Sequence, residues 1–395
     1  MTTAEQRGSL WRLPAVRSLF ALNVLGFLSY SLLLSALPAH AAALGYGLTA
    51  AGSVTTVFLV ATVLAQGAVP ALVHRFGLGP VLLAGLLALA VPSPLYLLAE
   101  DVRWFAVVSA VRGLGFAVLT VLGSTVAAQA VPPERRGESI GIYGLAIAVP
   151  TIVAVPGGAA LTLAGHFGWV AALSAAPVLA CGFLPGLVRA VGERAEPGRG
   201  RTGSRAAVRA SVTPSVLLLV MTLAGGGFFT FLPIERPDGS LAAVALLLFG
   251  LTSALGRWQA GVLVDRLGAR LLMPGSVAAG VVGLLLVALG LTTEGSPGVA
   301  AVLAGALALG LAYGAVQNLT LVLALARAGD GPTATVSAVW NACYDTGTAI
   351  GALAVGAVAA GLGLPTTYTL TAVLLAVALP LAIALGRTAL RPSAG

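Results

Sequence analysis

A series of long apolar runs, separated by short polar segments, constrains the fold of this chain more than any other feature. A helix needs about 20 apolar residues to cross the hydrocarbon core of a bilayer. Strands of a membrane barrel would be shorter and would alternate apolar with polar residues, so the runs predict helices. The twelve predicted helices cover residues 17–40, 49–73, 79–98, 103–131, 139–163, 168–190, 212–234, 241–264, 270–292, 297–326, 333–360 and 365–386.

The composition leads to the same class of protein. Only 9% of the residues are charged and 58% are hydrophobic, with a mean hydropathy of +1.01, whereas soluble domains carry about 25% charged residues. The first run is too long for a signal peptide, so we expect it to be retained as a helix. Cys181 and Cys343 both lie in apolar runs, and no disulfide is predicted. We therefore predict an all-α membrane protein.

The basic residues indicate how the chain crosses the membrane. All 21 are Arg, and most fall in the N-terminal segment, the even-to-odd loops and the C-terminal segment. Because cytoplasmic loops accumulate basic residues, we predict a bacterial inner-membrane protein with both termini in the cytoplasm. This distribution explains the net charge of +8 without nucleic acid as a partner.

A polar, Gly- and Arg-rich segment divides the predicted helices into two sets of six. Residues 189–211 read RAVGERAEPGRGRTGSRAAVRAS, which is typical of a flexible linker. We predict an N-terminal six-helix bundle over residues 1–190, a cytoplasmic linker over 191–211 and a C-terminal six-helix bundle over 212–395.

The two halves contain a repeated loop. Residues 70–79 (PALVHRFGLG) align without gaps with residues 261–270 (GVLVDRLGAR). A repeat of six plus six helices is the plan of transporters whose site lies at mid-membrane between two pseudo-symmetric bundles.

The second copy of the loop resembles a motif of the major facilitator superfamily. The residues that carry the resemblance are Gly261, Leu263, Asp265, Arg266, Gly268 and Arg270. The resemblance implies that this loop is a conformational latch. The first copy keeps Arg75 but has Pro70 and His74 in place of the Gly and Asp. His74 is either a pH-sensitive latch residue or a plain loop histidine.

Two further segments resemble the exporter branch of that superfamily. Residues 111–124 (VRGLGFAVLTVLGS) place Arg112 near Gly115, in partial agreement with the helix 4 motif. Residues 144–158 (GLAIAVPTIVAVPGG) resemble the antiporter motif of helix 5. Its matching residues are Pro150, Pro156, Gly157 and Gly158. The alternative is a generic membrane helix, in which Gly and Pro are common.

Two charges deep within predicted helices stand out, Asp345 and Arg112. A charge inside the bilayer costs free energy, so both are expected to face a cavity or a helix interface. Burial disfavours the charged form of a carboxylate, so Asp345 is a candidate proton-coupling residue. The alternative is a buried hydrogen-bonding residue that joins helices. Arg112 would modulate Asp345 or bind an anionic substrate group. Glu235 is a second coupling candidate, and the first helix lacks the carboxylate that many proton-driven exporters of this family carry.

The resemblance also implies which residues line the substrate cavity. Helices 1, 4, 7 and 10 line it in this family, and Asn341 and Tyr344 of helix 11 are further candidates. The candidates are Asn23, Tyr30, Arg112, Phe228, Phe229, Tyr313, Gln317, Asn318, Asn341 and Tyr344. Polar groups in an apolar pocket suit an amphiphilic ligand, although each can instead serve hydrogen bonding between helices. Gln66 and Arg257 hold matching places before the two repeated loops.

The sequence lacks the common motifs of enzymes, nucleotide sites and channel filters. Its three histidines, His40, His74 and His166, lie near membrane edges, so no metal site is expected. We expect a monomeric secondary transporter that exports a small drug-like molecule or metabolite by proton antiport with alternating access. The proton gradient would drive it without a cofactor. The alternative is a symporter or facilitator that imports a small solute.

Overall fold

The structure is a computed structural model, and it describes residues 9–129, 131, 135–192, 205–236, 240–328 and 333–388. The described residues contain twelve helices long and apolar enough to cross a membrane. They are α1 (Pro14–Ala43), α2 (Leu48–Gln66), α3 (Leu78–Leu97), α4 (Val102–Ala127), α5 (Ile142–Leu163), α6 (Phe167–Val191), α7 (Arg205–Glu235), α8 (Ser240–Gly261), α9 (Ala269–Thr292), α10 (Gly295–Ala328), α11 (Thr335–Leu362) and α12 (Leu364–Arg387). The predicted twelve-helix fold is confirmed.

Several helices break where the sequence carries proline. The predicted second helix ends at Gln66, and a short helix, Val69–Phe76, follows with a proline in its first turn. Helix α6 is interrupted before Pro177 and again before Pro185, and α12 is interrupted at Ala378. A proline lacks the N–H that would continue the backbone ladder, and its ring crowds the preceding turn. Continuous hydropathy alone does not reveal such breaks.

The boundary between the two sets of six helices differs in part from the prediction. Helix α7 begins at Arg205, within the predicted linker of residues 191–211. Its first turns carry Arg205 and Arg209, and long charged side chains at a helix end can reach water beyond the apolar core. Residues 193–204 lie outside the described part of the chain, and the division into domains stays a prediction.

The two sets of helices pack in the same way. In the N-terminal half α1 packs on α5, α2 on α4 and α3 on α4; in the C-terminal half α7 packs on α11, α8 on α10 and α9 on α10. The halves meet through α2 against α11, α5 against α8 and α1 against α7. We call the side of the molecule that holds the start of α1, the start of α7 and the end of α12 the linker side. The opposite side is the far side.

Glycines allow the halves to approach closely near the far side. A Cβ atom on Gly52 of α2 would overlap the carbonyl oxygen of Ala352 of α11, and one on Gly356 would crowd the carbonyl of Leu48. The Thr56 hydroxyl donates to the carbonyl oxygen of Ala349 over 2.9 Å. Helix backbones therefore touch directly where α2 and α11 cross.

Candidate functional site

Asp345 lies on α11, at the contact with α2. Its side chain is only 6% exposed, and its Oδ2 accepts a hydrogen bond of 3.0 Å from Gln66 Nε2. The Gln66 amide also lies 3.4 Å from the hydroxyl oxygen of Thr120 on α4. The lone carboxylate thus lies between the halves and bonds to a neutral amide of the N-terminal half.

Aromatic rings surround this contact in the N-terminal half. Tyr30 of α1 stacks on Phe116 of α4, with ring centroids 4.4 Å apart, and on Phe58 of α2 at 5.6 Å. Tyr30 is close enough to Asp345 and Tyr344 to interact electrostatically with both. The predicted cavity residue Tyr30 therefore lies beside the buried carboxylate.

A second aromatic cluster belongs to the C-terminal half. The hydroxyl groups of Tyr313 on α10 and Tyr344 on α11 are hydrogen-bonded over 3.0 Å. Phe229 packs edge-on against Tyr313 at 5.9 Å, and Trp340 stacks on Tyr344 at 5.9 Å. Phe228 is fully buried and packs on Phe249 at 5.3 Å. Aromatic faces and phenolic hydroxyls thus lie on both sides of the contact between the halves.

A cation, Arg257, borders the same region. Arg257 of α8 is partly buried and lies 3.5 Å from the Gln317 side-chain oxygen, while Gln317 is 6% exposed. Arg257 interacts electrostatically with Tyr143, Tyr313 and Tyr344. These contacts place Arg257 against the tyrosines around Asp345.

Arg112 occupies a different place from Asp345. It is 2% exposed and donates from Nε to the Leu89 carbonyl at 3.1 Å, and from Nη2 to the Ser29 carbonyl and hydroxyl oxygens at 3.1 and 2.9 Å. Its guanidinium also lies over the rings of Phe58 and Tyr96, 5.7 and 5.8 Å from their centroids. These bonds join α4 to α1 and α3 within one half.

A cavity of about 20 Å³, room for roughly one water molecule, adjoins the Arg112 guanidinium. It is lined by Tyr30, Leu33, Leu34, Leu37, Val54, Thr55, Phe58, Tyr96, Ser109 and Arg112. The wall is mostly apolar, with a few polar groups at its edge. The cavity is too small for an organic substrate in this conformation.

The asparagines among the predicted cavity residues are partly engaged in local bonds. Asn23 is fully buried, and its amide donates to the Leu19 carbonyl at 2.8 Å. The Asn341 amide donates to the Ser337 carbonyl at 2.9 Å. The side-chain oxygens of Asn23 and Asn318 find no hydrogen-bond partner among the described residues. Such buried acceptors without a partner are uncommon in folded proteins.

The remaining predicted residues lie at helix ends. Glu235 is the last residue of α7, exposed on the far side and away from the middle of α11. His74 and Arg75 are exposed on the linker side, where the Arg75 guanidinium lies 5.2 Å from the centre of the Phe76 ring. Arg270 is exposed at the start of α9.

The two repeated loops share one backbone feature. Gly77 has φ +86° and Gly268 has φ +75°, a conformation that other residues rarely adopt. Gly261 packs against Asn318, whose amide nitrogen would lie 3.6 Å from an added Cβ atom. The side chains of Asp265 and Arg266 lie outside the described part of the chain, and the latch stays a prediction.

Helix α5 packs its Gly- and Pro-rich segment against α1. It runs without a break through Pro150 and Pro156. A Cβ atom on Gly158 would overlap the Leu32 carbonyl, whereas Gly157 faces open space. The predicted antiporter-type segment therefore contributes a close α1–α5 contact through Gly158.

A search against protein families finds one decisive match: the model of the Major Facilitator Superfamily matches residues 19–352. The chain belongs to the major facilitator superfamily. It is a multi-pass membrane transporter and not an enzyme. This major facilitator protein is 28% identical over 247 residues to a chloramphenicol resistance protein of Streptomyces lividans. That match covers 60% of this chain and 62% of the relative's length.

Other relatives agree with the family and the fold. An uncharacterised MFS-type transporter of Bacillus subtilis (strain 168), YtbD, is 26% identical over 281 residues, covering 67% of this chain and 68% of the relative. The crystal structure of nucleoside transporter NupG matches with a TM-score of 0.72 at 13% identity, over 94% of this chain and 98% of the other. A bacterial homologue of the human lysosomal transporter Spinster, inward-facing and occupied, matches with a TM-score of 0.73 at 15% identity, over 98% and 100%. These two structures share the fold.

Proposed function

We propose that the protein exports a small amphiphilic organic molecule, drug-like or a metabolite, in exchange for protons entering the cell. The observation that carries this proposal is the position of Asp345. It is a buried carboxylate between the two halves, bonded to a neutral amide and surrounded by aromatic rings. A group at such a position can face either side of the membrane as the halves move, which proton exchange requires.

The surroundings of Asp345 support a substrate with both apolar and polar parts. Tyr30, Phe229 and Trp340 offer flat apolar faces, and the hydroxyls of Tyr313 and Tyr344 offer polar contacts. Rings of this kind bind planar organic molecules without fixing one orientation. The relative from Streptomyces lividans, a chloramphenicol resistance protein, supports export of such a compound.

The orientation belongs to the same proposal. We place both termini and the linker side in the cytoplasm of a bacterium. Most Arg residues then lie on the cytoplasmic side, where basic loops accumulate in membrane proteins. The Tyr- and Phe-lined region then opens in turn toward the cytoplasm and the outside as α2 moves against α11 and α5 against α8. The transport cycle needs the substrate, protons and the bilayer, and we propose that a monomer performs it.

The proposal is tested in inverted membrane vesicles with an imposed inside-acid pH gradient. Chloramphenicol and a panel of amphiphilic compounds are added while a pH-sensitive dye reports the gradient. We expect wild-type vesicles to lose the gradient when a substrate is added, and Asp345→Asn vesicles to keep it. Asp101→Asn is the matched control, because Asp101 is an exposed carboxylate outside the helices.

The alternative, import by symport or facilitated diffusion, predicts a different result. A facilitator would move labelled compound with no change in dye signal. A symporter would carry protons into the vesicles together with the added compound and acidify them further. Either outcome would refute the antiport proposal. In a facilitator Asp345 would be a structural residue that joins α11 to α2.

A further inference from the structure

The contact between Gln66 and Asp345 joins two helices of different halves, α2 and α11, far apart in the sequence. Gln66 is the last residue of α2, at its linker-side end, and it is partly buried. The Thr120 hydroxyl donates to the Ala117 carbonyl at 3.1 Å, so its oxygen accepts from Gln66. Both neighbours of the Gln66 nitrogen are acceptors, which fixes the orientation of the amide.

The contact is built differently from the others between α2 and α11. Toward the far side, Gly52 and Thr56 bring the two backbones together. At Gln66 the contact is a hydrogen bond between two side chains. Side chains on a helix point toward its N-terminus, so Gln66 extends toward the far side and Asp345 extends toward the linker side. The two side chains meet along the helix direction, and they can separate without the backbones losing contact near Gly52.

The strength of this hydrogen bond depends on the charge of Asp345. A hydrogen bond to an ionised acceptor is roughly twice as strong as one between neutral groups. The carboxylate form of Asp345 accepts from Gln66, whereas the protonated form offers the amide a weaker, neutral acceptor. Proton binding therefore weakens the link between the linker-side end of α2 and the middle of α11.

The internal repeat shows why a neutral residue suits this position. Gln66 and Arg257 hold equivalent places in the two halves, on α2 and α8, and the pairs α2–α11 and α8–α5 both cross between the halves. An arginine at position 66 would form an ion pair with Asp345 and would favour its charged form. A glutamine holds the carboxylate less firmly.

Other polar groups face Asp345 from the surrounding helices. Tyr30 of α1, Tyr143 of α5 and Tyr344 of α11 each interact with it electrostatically. Arg257 of α8 acts on Tyr143 and Tyr344, and Tyr313 of α10 reaches Asp345 through its bond to Tyr344. Among the described residues of the opposite half, Gln66 is the one that hydrogen-bonds Asp345 directly.

We propose that Gln66 is a positioning residue that couples the protonation of Asp345 to the opening of the linker side. It holds the linker-side end of α2 against α11 while Asp345 is charged, and it releases that end when Asp345 takes a proton. This inference rests on the proposed function, because it requires Asp345 to exchange protons. In an exporter of this kind, the proton-loaded protein opens to the cytoplasm and the proton-free, substrate-loaded protein closes there.

The test measures the linker-side distance between the halves without any substrate. Spin labels are placed at Phe76→Cys and Leu267→Cys, equivalent positions of the repeat that are 55% and 51% exposed. Cys181 and Cys343 are replaced by Ala. Double electron–electron resonance then gives the distance distribution of purified protein in lipid nanodiscs, in mildly alkaline and in mildly acidic buffer. The variants are Gln66→Ala, Gln66→Arg and Asp345→Asn, with Gln259→Ala as the control on the equivalent helix.

We expect the long-distance population of the wild type and of Gln259→Ala to rise several-fold in acidic buffer. Gln66→Ala and Asp345→Asn should show the larger population at both pH values, and Gln66→Arg should show the short distance at both. A wild-type pH response that persists in Gln66→Ala, or a wild type without a response, would overturn the inference. The vesicle assay separates this inference from the proposed function. Proton-coupled transport together with an unchanged pH response of the distances in Gln66→Ala would refute this inference alone. Distances that depend on pH in a protein without proton-coupled transport would refute the proposed function.

Discussion

At the scale of single residues, the two charged side chains that are buried in the described part of the chain have different surroundings. Arg112 donates to backbone and hydroxyl oxygens of Ser29 and Leu89, all in the N-terminal half. Asp345 bonds across the halves to Gln66. An arginine satisfied by carbonyls of its own half stabilises that half, whereas a carboxylate between halves is placed to respond to their movement.

Arg112→Ala should therefore lower stability. The change leaves a cavity and removes three hydrogen bonds to a charged donor, which should cost about 2–4 kcal/mol. Thermal unfolding in detergent measures the loss. Arg103→Ala, at an exposed position, should shift stability by no more than about 0.5 kcal/mol. Equal melting temperatures for the two variants would contradict the stabilising role of Arg112.

The sequence identifies Asp345 and Arg112 because charges within apolar runs stand out. It does not identify Gln66 as the partner of Asp345, because the two residues are remote in the chain and hydropathy does not say which helix faces which. A signal was present, since Gln66 is the neutral counterpart of Arg257 in the repeat. The place of Glu235, by contrast, can be read from the sequence. It comes at the end of an apolar run, and the structure has it as the exposed last residue of α7.

At the scale of helices, glycines determine how closely α2 approaches α11. Hydropathy predicts all twelve helices, but it misses the end of α2 at Gln66 and the interruptions of α6 and α12. Those features depend on prolines and on tertiary contacts. The direct backbone contact at Gly52 is likewise invisible in the sequence, where this glycine resembles many others.

Gly52→Val should prevent closure near the far side. The added side chain would overlap the Ala352 carbonyl and press on the Phe231 ring, so α2 and α11 would be forced apart. Thr55→Cys, buried beside this contact, then reports the opening through faster maleimide labelling in a background without Cys181 and Cys343. Gly47→Val is the control, because an added side chain there meets open space. Unchanged labelling of Gly52→Val would argue against the close packing of α2 and α11.

At the scale of the whole molecule, transport by alternating access requires the two halves to move against each other. The contacts α2–α11, α5–α8 and α1–α7 lie between the halves, and transport needs them to open and re-form on alternate sides.

A cross-link near the far side should stop this movement. Thr56→Cys combined with Ala349→Cys joins positions whose hydroxyl and carbonyl oxygens are 2.9 Å apart. We expect oxidation to abolish transport of labelled substrate into inverted vesicles and a reducing agent to restore it. Each single-cysteine variant should be insensitive to oxidation. Full transport by the cross-linked protein would contradict alternating access at this interface.

The proposed role of Asp345 as the residue that carries the driving proton can be measured in reconstituted protein. Wild type and Asp345→Asn are reconstituted into proteoliposomes. For a substrate found in the vesicle assay, uphill transport driven by a pH gradient is compared with exchange between equal concentrations on both sides. We predict that Asp345→Asn loses uphill transport but keeps exchange, because it binds substrate and moves without releasing a proton. Uphill transport by Asp345→Asn at the wild-type rate would contradict this role.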